Sequence, residues 1–229
     1  MVKAAQTIFN ERGECNLPHL VAAARGRCVA AHFGPYDYTA NCGITGAHQE
    51  MTNPACDIAR HIMQVALAGT GIWISDGPTN IMPVPIHTSA ADSQLTFEQE
   101  EENRNNVYRA WALQYSHIRH SLMTGFYQGL DLHPAQLPVR YAAVYAFFLE
   151  NLESSAERLR NFVSKSAQAT RVGGVFDDAA TGHGLLNYFL RAINCGAIIE
   201  AEALSLTGLA IEELRSGSFL KILEVRTHN

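Results

Sequence analysis

The chain has 229 residues, of which 47% are hydrophobic and 17% are charged, and its net charge is −5. This composition supplies enough apolar material for a folded core and excludes a disordered chain. The acidic balance argues against a general nucleic-acid binder, which needs a basic surface. No apolar run approaches the roughly 20 residues of a membrane-spanning helix, so we expect no membrane segment.

The cysteines and the N-terminal residues favour a cytoplasmic location. The first residues lack the apolar stretch of a secretory signal. The cysteines are odd in number and scattered, and no CxxC pair occurs among them: Cys15, Cys28, Cys42, Cys56 and Cys195. Reduced thiols in a cytoplasmic protein fit this pattern better than disulfides or a cysteine-rich zinc site.

Strands and helices alternate along the first two thirds of the chain. Short apolar runs predict three strands, at 27–33, 71–75 and 128–132. A helix is predicted to begin at Asn53-Pro54 and to end at Gly69. We expect its buried face to carry Ile58, Ile62, Val65 and Ala66.

Two further helices complete this region, and helical segments follow it. Thr96 and Gln99 form a capping-box pattern that predicts the start of a long helix ending at Gly125. The next helix is predicted over 138–151. Shorter helical segments, with a break at Gly173-Gly174, are predicted over 154–165, 181–194, 198–206 and 211–214.

The spacing of the strands predicts a candidate site. Strands 40 to 60 residues apart, joined by helices, are typical of parallel pairing through crossover connections. Tyr36 and Asp37 follow the first strand, Asp76 follows the second and His133 follows the third. Active sites of parallel sheets and barrels lie at this end of the strands, so we expect these side chains to lie near one another.

Each of these residues also has a purely structural interpretation. The carboxylate of Asp37 suits Mg²⁺ or Mn²⁺, and the alternative is that it caps the following segment. Asp76 stands in a common Asp-Gly-Pro turn, for which the structural interpretation is stronger. His133 either titrates usefully near neutral pH or simply starts a helix at His-Pro. The pair His117 and His120 has metal-like spacing, but we favour a solvent-facing helix surface for it.

Three segments together resemble one family. The segments are HFGPYDYTANCG at 32–43, GIWISDGPTN at 71–80 and GLDLHPAQLPV at 129–139. In this order and spacing they resemble the HpcH/HpaI aldolase and citrate lyase beta-chain family of the phosphoenolpyruvate/pyruvate-binding barrel superfamily, in an aldolase-like branch of uncharacterised function. The resemblance covers residues 5–148, about two thirds of the chain.

The resemblance implies a metal-dependent carbon–carbon lyase. Its substrate would be a pyruvate-like 2-oxo acid or an acyl-CoA thioester, cleaved through an enolate that Mg²⁺ or Mn²⁺ stabilises. Asp37 corresponds to the metal ligand, and Gly34 and Tyr36 would offer backbone groups to the substrate carboxylate. Asp76 would line the substrate site, and His32 and His133 would be the catalytic side chains.

The resemblance also implies a fold and reveals two departures from the family pattern. The fold would be the C-terminal half of a TIM (β/α)₈ barrel over 1–151, with three to four parallel strands, and a helical extension over 152–229. Lys3 stands where the family has its second metal ligand, a glutamate, and an ammonium group cannot coordinate a cation. The strands that carry the substrate arginine and the catalytic base precede Met1, so we expect a truncated and inactive lyase.

A non-catalytic role is the alternative. The chain would then act as a helical interaction module, or as one part of a split barrel that a second chain completes. We expect a second copy of the chain or a complementing barrel half as partner, and neither nucleic acid nor membrane. A nucleotide-binding domain is disfavoured because no glycine-rich phosphate loop follows any strand.

Overall fold

The computed structural model describes residues 1–89, 94–171, 179–219, 221–222 and 226. The chain divides into two compact units, residues 1–142 and 143–229. Both are mainly helical, and helix α6 runs across the division. The helices and strands of the described residues are α1 (Ala5–Ile8), α2 (Leu17–Ala23), β1 (Ala30–His32), α3 (Pro35–Asn41), α4 (Pro54–Leu67), β2 (Trp73–Ser75), α5 (Phe97–Met123), α6 (Leu137–Leu149), α7 (Leu152–Arg171), α8 (Ala179–Asn194), α9 (Glu200–Thr207) and α10 (Ile211–Arg215), with 3₁₀ turns at Gly46–His48 and Pro134–Gln136.

The predicted half of a TIM barrel is wrong. Within the described residues, the sheet consists of two three-residue parallel strands, β1 and β2, in the register Ala30 to Trp73 and His32 to Ser75. Single parallel bridges flank it, from Val2 to Phe33 on one side and from Asp76 to Gly129 on the other. The fold is therefore mostly helical with one small sheet.

The apolar runs overstated the strands because short runs do not show whether a neighbouring strand exists to pair with them. In the predicted third strand, 128–132, one residue makes a bridge, and both Leu130 and Leu132 are exposed. The first predicted strand, 27–33, pairs only from residue 30 onward, and Val29 is exposed. A closed barrel needs strands long enough to tilt and pair on both edges, which these segments do not provide.

One face of the sheet packs against the helices of residues 1–142. Ala31 and Ile74 lie against a buried apolar cluster that includes Phe33 and Met63. Because side chains alternate along a strand, Ala30, His32, Trp73 and Ser75 lie on the opposite face. We call these four residues the open sheet face, since Trp73 is 57% exposed there.

Helix α4 begins as predicted, with Asn53 accepting a hydrogen bond from the N–H of Ala55 at 3.0 Å. Its predicted buried face is shifted, because Ile58 and Val65 are exposed. The buried positions recur at helical spacing: Cys56, Ala59, Arg60, Met63 and Leu67. The buried face of α4 thus includes one arginine, and it is rotated away from the exposed branched side chains of Ile58 and Val65.

Helix α5 also follows its local signals. Thr96 and Gln99 form the predicted capping box, with the two reciprocal hydrogen bonds both made. Gly125, which has a positive φ of 86°, follows the end of the helix. Local capping chemistry therefore predicted both ends of the longest helix.

Residues 143–229 form a helical unit. Helix α7 packs against α8 and α9, and α8 also contacts α10. The buried apolar side chains of this unit include Leu159, Leu186, Phe189, Ala203 and Leu214. The four described helices of this unit lie close to the predicted segments, and the predicted break at Gly173-Gly174 lies outside the described residues. No helix in the described part of the chain is both long and apolar enough to cross a bilayer.

Candidate functional site

An ion pair lies where β1 ends. The Nζ of Lys3 lies 2.7 Å from Oδ2 of Asp37, and the two side chains are 52% and 59% exposed. Asp37 stands in the first turn of α3, directly after the Gly34-Pro35 turn. The carboxylate predicted to bind a metal ion is thus paired with an ammonium group of the same chain.

The backbone around Gly34 positions Lys3 for this pairing. The N–H of Val2 donates to the carbonyl of His32 at 2.7 Å, and the N–H of Gly34 donates to the carbonyl of Val2 at 2.8 Å. A methyl group on Gly34 would lie 2.9 Å from Cγ of Lys3. The absence of a side chain at Gly34 therefore leaves room for the lysine stem to cross toward Asp37.

Tyr36 uses its side chain to hold a neighbouring loop. Its hydroxyl donates to the carbonyl of Pro78 at 3.0 Å and accepts from the N–H of Asn80 at 3.1 Å. Burial raises the pKa of Tyr36 to about 12, so the phenol stays protonated at neutral pH. This side chain joins the end of β1 to the segment after β2.

His32 and Ser75 meet on the open sheet face. The Nδ1 of His32 and the hydroxyl of Ser75 lie 3.1 Å apart across the two strands. Burial lowers the pKa of His32, the charge of Asp76 opposes this shift, and the positive charges of the N-terminus and of Lys3 add to it. His32 is therefore a mainly neutral, half-buried imidazole at neutral pH.

Asp76 is buried among the helices instead of facing the open sheet face. Its oxygens accept hydrogen bonds from Nε of Arg60, from the hydroxyl of Ser121 at 2.6 Å and from the N–H of Gly77 at 2.8 Å. Arg60 is itself fully buried. This arrangement ties β2 to α4 and α5, and it leaves the Asp76 carboxylate fully engaged.

The four residues that follow β2, Asp76 to Thr79, are all buried. The hydroxyl of Thr79 lies 3.0 Å from Nδ1 of His117, and the side-chain N–H of Gln136 donates to the carbonyl of Thr79 at 3.0 Å. A methyl group on Gly77 would stand 2.2 Å from Cδ of Pro35. The predicted turn is thus a buried connection between several helices.

The histidine pair on α5 is not the solvent-facing surface that we expected. His117 is 4% exposed and burial lowers its pKa to about 4, with Arg60 acting in the same direction. His120 faces elsewhere, with Nε2 lying 2.8 Å from Oδ1 of Asp57. Since the two imidazoles have different partners, they do not form a metal pair.

His133 caps a helical turn. Its Nδ1 accepts a hydrogen bond from the N–H of Ala135 at 3.1 Å, at the start of the 3₁₀ turn Pro134–Gln136. The side-chain oxygen of Gln136 in turn accepts from the N–H of His133 at 3.2 Å. This is the helix-starting role that the sequence left open beside a catalytic one.

The structure brings together some of the predicted site residues and separates others. Lys3, Gly34 and Asp37 form one cluster at the end of β1, with His32 next to it. Asp76 belongs to the buried helical side, and His133 belongs to its own capped turn. The strand-end pattern therefore did not predict which of these side chains share an environment.

Sequence reasoning missed the residues that engage Asp76 and Thr79. Arg60 and Ser121 hold Asp76, and Gln136 spans 57 residues to reach Thr79. The one available signal was Arg60 itself, a charged residue on the face of α4 that also carries Cys56 and Met63 at helical spacing.

The residues at the end of β1 do not fit a divalent metal ion. Mg²⁺ and Mn²⁺ are held by carboxylate and other oxygen ligands, and here the exposed carboxylate of Asp37 is paired with the Nζ of Lys3. In the described ranges, no group of three or more His, Cys, Asp or Glu side chains is placed to hold a metal. We therefore derive no metal-dependent step from this site.

Comparison with known proteins identifies the family of the chain. A family model described as a domain of unknown function, DUF6986, matches residues 1–222. No curated protein and no solved structure matches the chain. Because the match extends over nearly the whole sequence, the chain belongs to the DUF6986 family.

Proposed function

We propose that residues 1–142 form a protein-binding module, and that the open sheet face is its binding surface. The exposure of Trp73 carries this proposal. Its side chain is 57% exposed, although Trp73 belongs to β2, which pairs with β1 in the parallel sheet. This function corresponds to the interaction module that the sequence left as the alternative to a lyase.

An exposed face is unusual for a parallel sheet and therefore indicates a binding surface. The strands of parallel sheets are nearly always covered on both faces, because both rows of side chains are apolar enough to favour burial. Here the helices cover the face of Ala31 and Ile74, while Trp73 remains exposed on the other face. A buried aromatic side chain removes roughly 150–250 Å² from water, and a partner could cover only the 57% of Trp73 that is exposed, which still makes this position a contact point for a partner.

The chemistry of the surface favours a protein partner. Near the open sheet face, the charges of Lys3 and Asp37 neutralise each other, and Ala30 and Ser75 are small and uncharged. The chain as a whole carries a charge of −5, which opposes binding to a polyanion such as nucleic acid. A cytoplasmic location remains part of the proposal and is supported by the five free cysteines.

A second copy of the chain is the partner to which we commit. Most homo-oligomers form through two-fold symmetric contacts, in which the same surface patch meets itself. The open sheet face suits such a contact because none of its four residues carries a fixed charge and its His32 is mainly neutral. The charged groups near it are the paired Lys3 and Asp37 and the N-terminal ammonium group. A self-contact would place the exposed Trp73 of both copies in one interface.

Sedimentation equilibrium tests this proposal. At tens of micromolar, the wild type is expected to show twice the 25.1 kDa mass of one chain. The Trp73→Ser variant is expected to dissociate at least about tenfold more readily, as for a central interface aromatic. Tyr108→Ser is the matched control, since Tyr108 is also 57% exposed but lies on α5. A monomeric wild type, or equal weakening by both variants, would contradict the proposal.

The metal-dependent carbon–carbon lyase is the second candidate. Its supporting observation is that His32 and Asp37 both lie at the carboxyl end of β1, where a 2-oxo acid or acyl-CoA would be expected to bind. Its difficulty is Lys3, whose ammonium group pairs with the carboxylate that should coordinate the metal. An assay of pyruvate-aldol cleavage with Mg²⁺ or Mn²⁺ decides between the candidates. Turnover that is lost in Asp37→Ala would favour the lyase.

A further inference from the structure

The Lys3–Asp37 pair has a consequence that is separate from protein binding. We infer that Lys3 acts as the built-in cation of the strand-end site: its ammonium group excludes divalent metal from Asp37, and replacing Lys3 with glutamate creates a metal site. The inference rests on the position of two side chains and on the backbone that fixes them.

The backbone fixes the position of residue 3. The two hydrogen bonds between Val2 and the end of β1, at 2.7 and 2.8 Å, hold residue 3 beside the turn that leads into α3. Val2 itself is 2% exposed, so this segment is anchored by burial as well. Any side chain at position 3 therefore leaves the backbone from the same fixed point.

The side chain of Lys3 runs across Gly34 toward Asp37. Cγ of Lys3 lies so close to Gly34 that a methyl group there would stand 2.9 Å from it. The stem passes over Gly34, and Nζ reaches Oδ2 of Asp37 at 2.7 Å. A glutamate at position 3 would follow the same path for its first carbons and would bring a second carboxylate toward the first.

The ammonium group of Lys3 repels a divalent ion at Asp37. A Mg²⁺ ion bound by Asp37 would lie about 2.0–2.1 Å from a carboxylate oxygen. The Nζ of Lys3 lies 2.7 Å from Oδ2 of the same carboxylate, so the two cations would be close together. The repulsion between these two cations opposes binding, and Lys3 has no lone pair to offer in its protonated form. Lys3→Glu replaces this repulsion with attraction and supplies a second oxygen ligand of the kind that Mn²⁺ prefers.

The pair itself contributes little to folding. Both side chains are more than half exposed, and exposed ion pairs typically contribute only about 0–1 kcal/mol. Substitution at Lys3 should therefore leave the protein folded. This property makes position 3 a clean place for a gain-of-binding experiment.

The experiment is a titration of the full chain with Mn²⁺, with free Mn²⁺ followed by its paramagnetic resonance signal. We expect at least about tenfold tighter binding by Lys3→Glu than by the wild type, and loss of this gain in the double variant Lys3→Glu/Asp37→Asn. Lys221→Glu is the matched control, because it makes the same change in net charge at another exposed lysine. Lys3→Gln separates removal of the ammonium group from addition of a carboxylate.

Three results would overturn the inference. Wild type that binds Mn²⁺ as tightly as Lys3→Glu would show that the ammonium group excludes nothing. A gain that Lys221→Glu reproduces would show that net charge alone is responsible. A Lys3→Glu variant that keeps the wild-type circular dichroism spectrum and melting temperature but gains no binding would show that position 3 does not reach the site. None of these results bears on the open sheet face, which Trp73 tests independently.

Discussion

The Nε of Arg60 donates to both carboxylate oxygens of Asp76, at 3.0 and 2.9 Å, and neither side chain is more than 1% exposed. Nη1 of the same guanidinium donates to Asp57 at 2.9 Å, and its carbon lies 5.3 Å from the ring centre of Phe33. Nη2 has no hydrogen-bond partner among the described residues. A buried charge pair thus joins the end of β2 to α4.

Removing one partner of this pair should destabilise the protein strongly. Asp76→Ala leaves the Arg60 charge buried without its main partner, and such changes cost about 3–5 kcal/mol. Asp37→Ala removes an exposed carboxylate instead and should cost about 0–1 kcal/mol. Urea unfolding of both variants measures the difference, and equal losses would contradict the assignment of Asp76 to the buried helical side.

His117 should make stability depend on pH below neutrality. Burial lowers its pKa in the folded state to about 4, from an ordinary value of 6.5, so the folded protein resists protonation of this imidazole. The stabilisation is complete above pH 6.5, and it decreases as the pH falls toward 4 because the unfolded chain takes up the proton first. From these two values the expected loss is about 3 kcal/mol.

Unfolding free energies measured between pH 7 and pH 4 test the role of His117. The variant His117→Gln should lose part of the pH dependence in this window, whereas His48→Gln, which changes an exposed histidine, should keep it. Equal pH profiles for the wild type and His117→Gln would show that another group is responsible.

Gly77 should not tolerate a side chain. An added methyl group would stand 2.2 Å from Cδ and 2.6 Å from Cγ of Pro35, so the start of α3 would have to move. Overpacking of this kind typically costs about 1–3 kcal/mol, and we expect the upper end because the neighbour is a rigid ring. Thermal unfolding of Gly77→Ala measures this, with Gly46→Ala as the control, because no atom lies within 4 Å of a methyl group there. A Gly77→Ala protein as stable as the wild type would argue against this close approach.

His133 should be replaceable by another capping residue. His133→Ala removes the acceptor for the N–H of Ala135 and should cost about 1 kcal/mol, whereas His133→Asn keeps a capping side chain and should cost less. Chemical denaturation of the two variants compares them. If both variants are as stable as the wild type, the His133 side chain does not stabilise this turn, and the predicted catalytic role would be favoured instead.

The local features of this fold could be predicted from sequence, and the long-range ones could not. Asn53 and the pair of Thr96 and Gln99 bond to groups within three residues, so their patterns predicted the helix starts directly. Asp76 instead depends on Arg60, 16 residues away, and on Ser121, 45 residues away. A Ser-Asp-Gly-Pro turn has the same local pattern whether such distant partners are present or absent.

In the candidate site, too, local features could be predicted from sequence and long-range ones could not. Asp37, which the strand-end pattern singled out, follows β1 in the first turn of α3, and its role in a site stays a prediction. The pattern could not show that Asp76 turns away, because the orientation of a residue just after a strand depends on which helices cover each face. The open sheet face was missed for a related reason: an apolar run does not reveal whether a second layer of the same chain covers it.

The fluorescence of Trp73 tests the central claim most directly. The chain has two tryptophans, so Trp111→Phe leaves Trp73 as the only indole, and its emission can be followed as the protein is concentrated through its association range. If the open sheet face is the binding surface, the emission shifts to shorter wavelength as the mass doubles, because the 57% exposed indole becomes buried. If the mass doubles while Trp73 keeps the emission of an exposed indole, the interface lies elsewhere and the account is wrong.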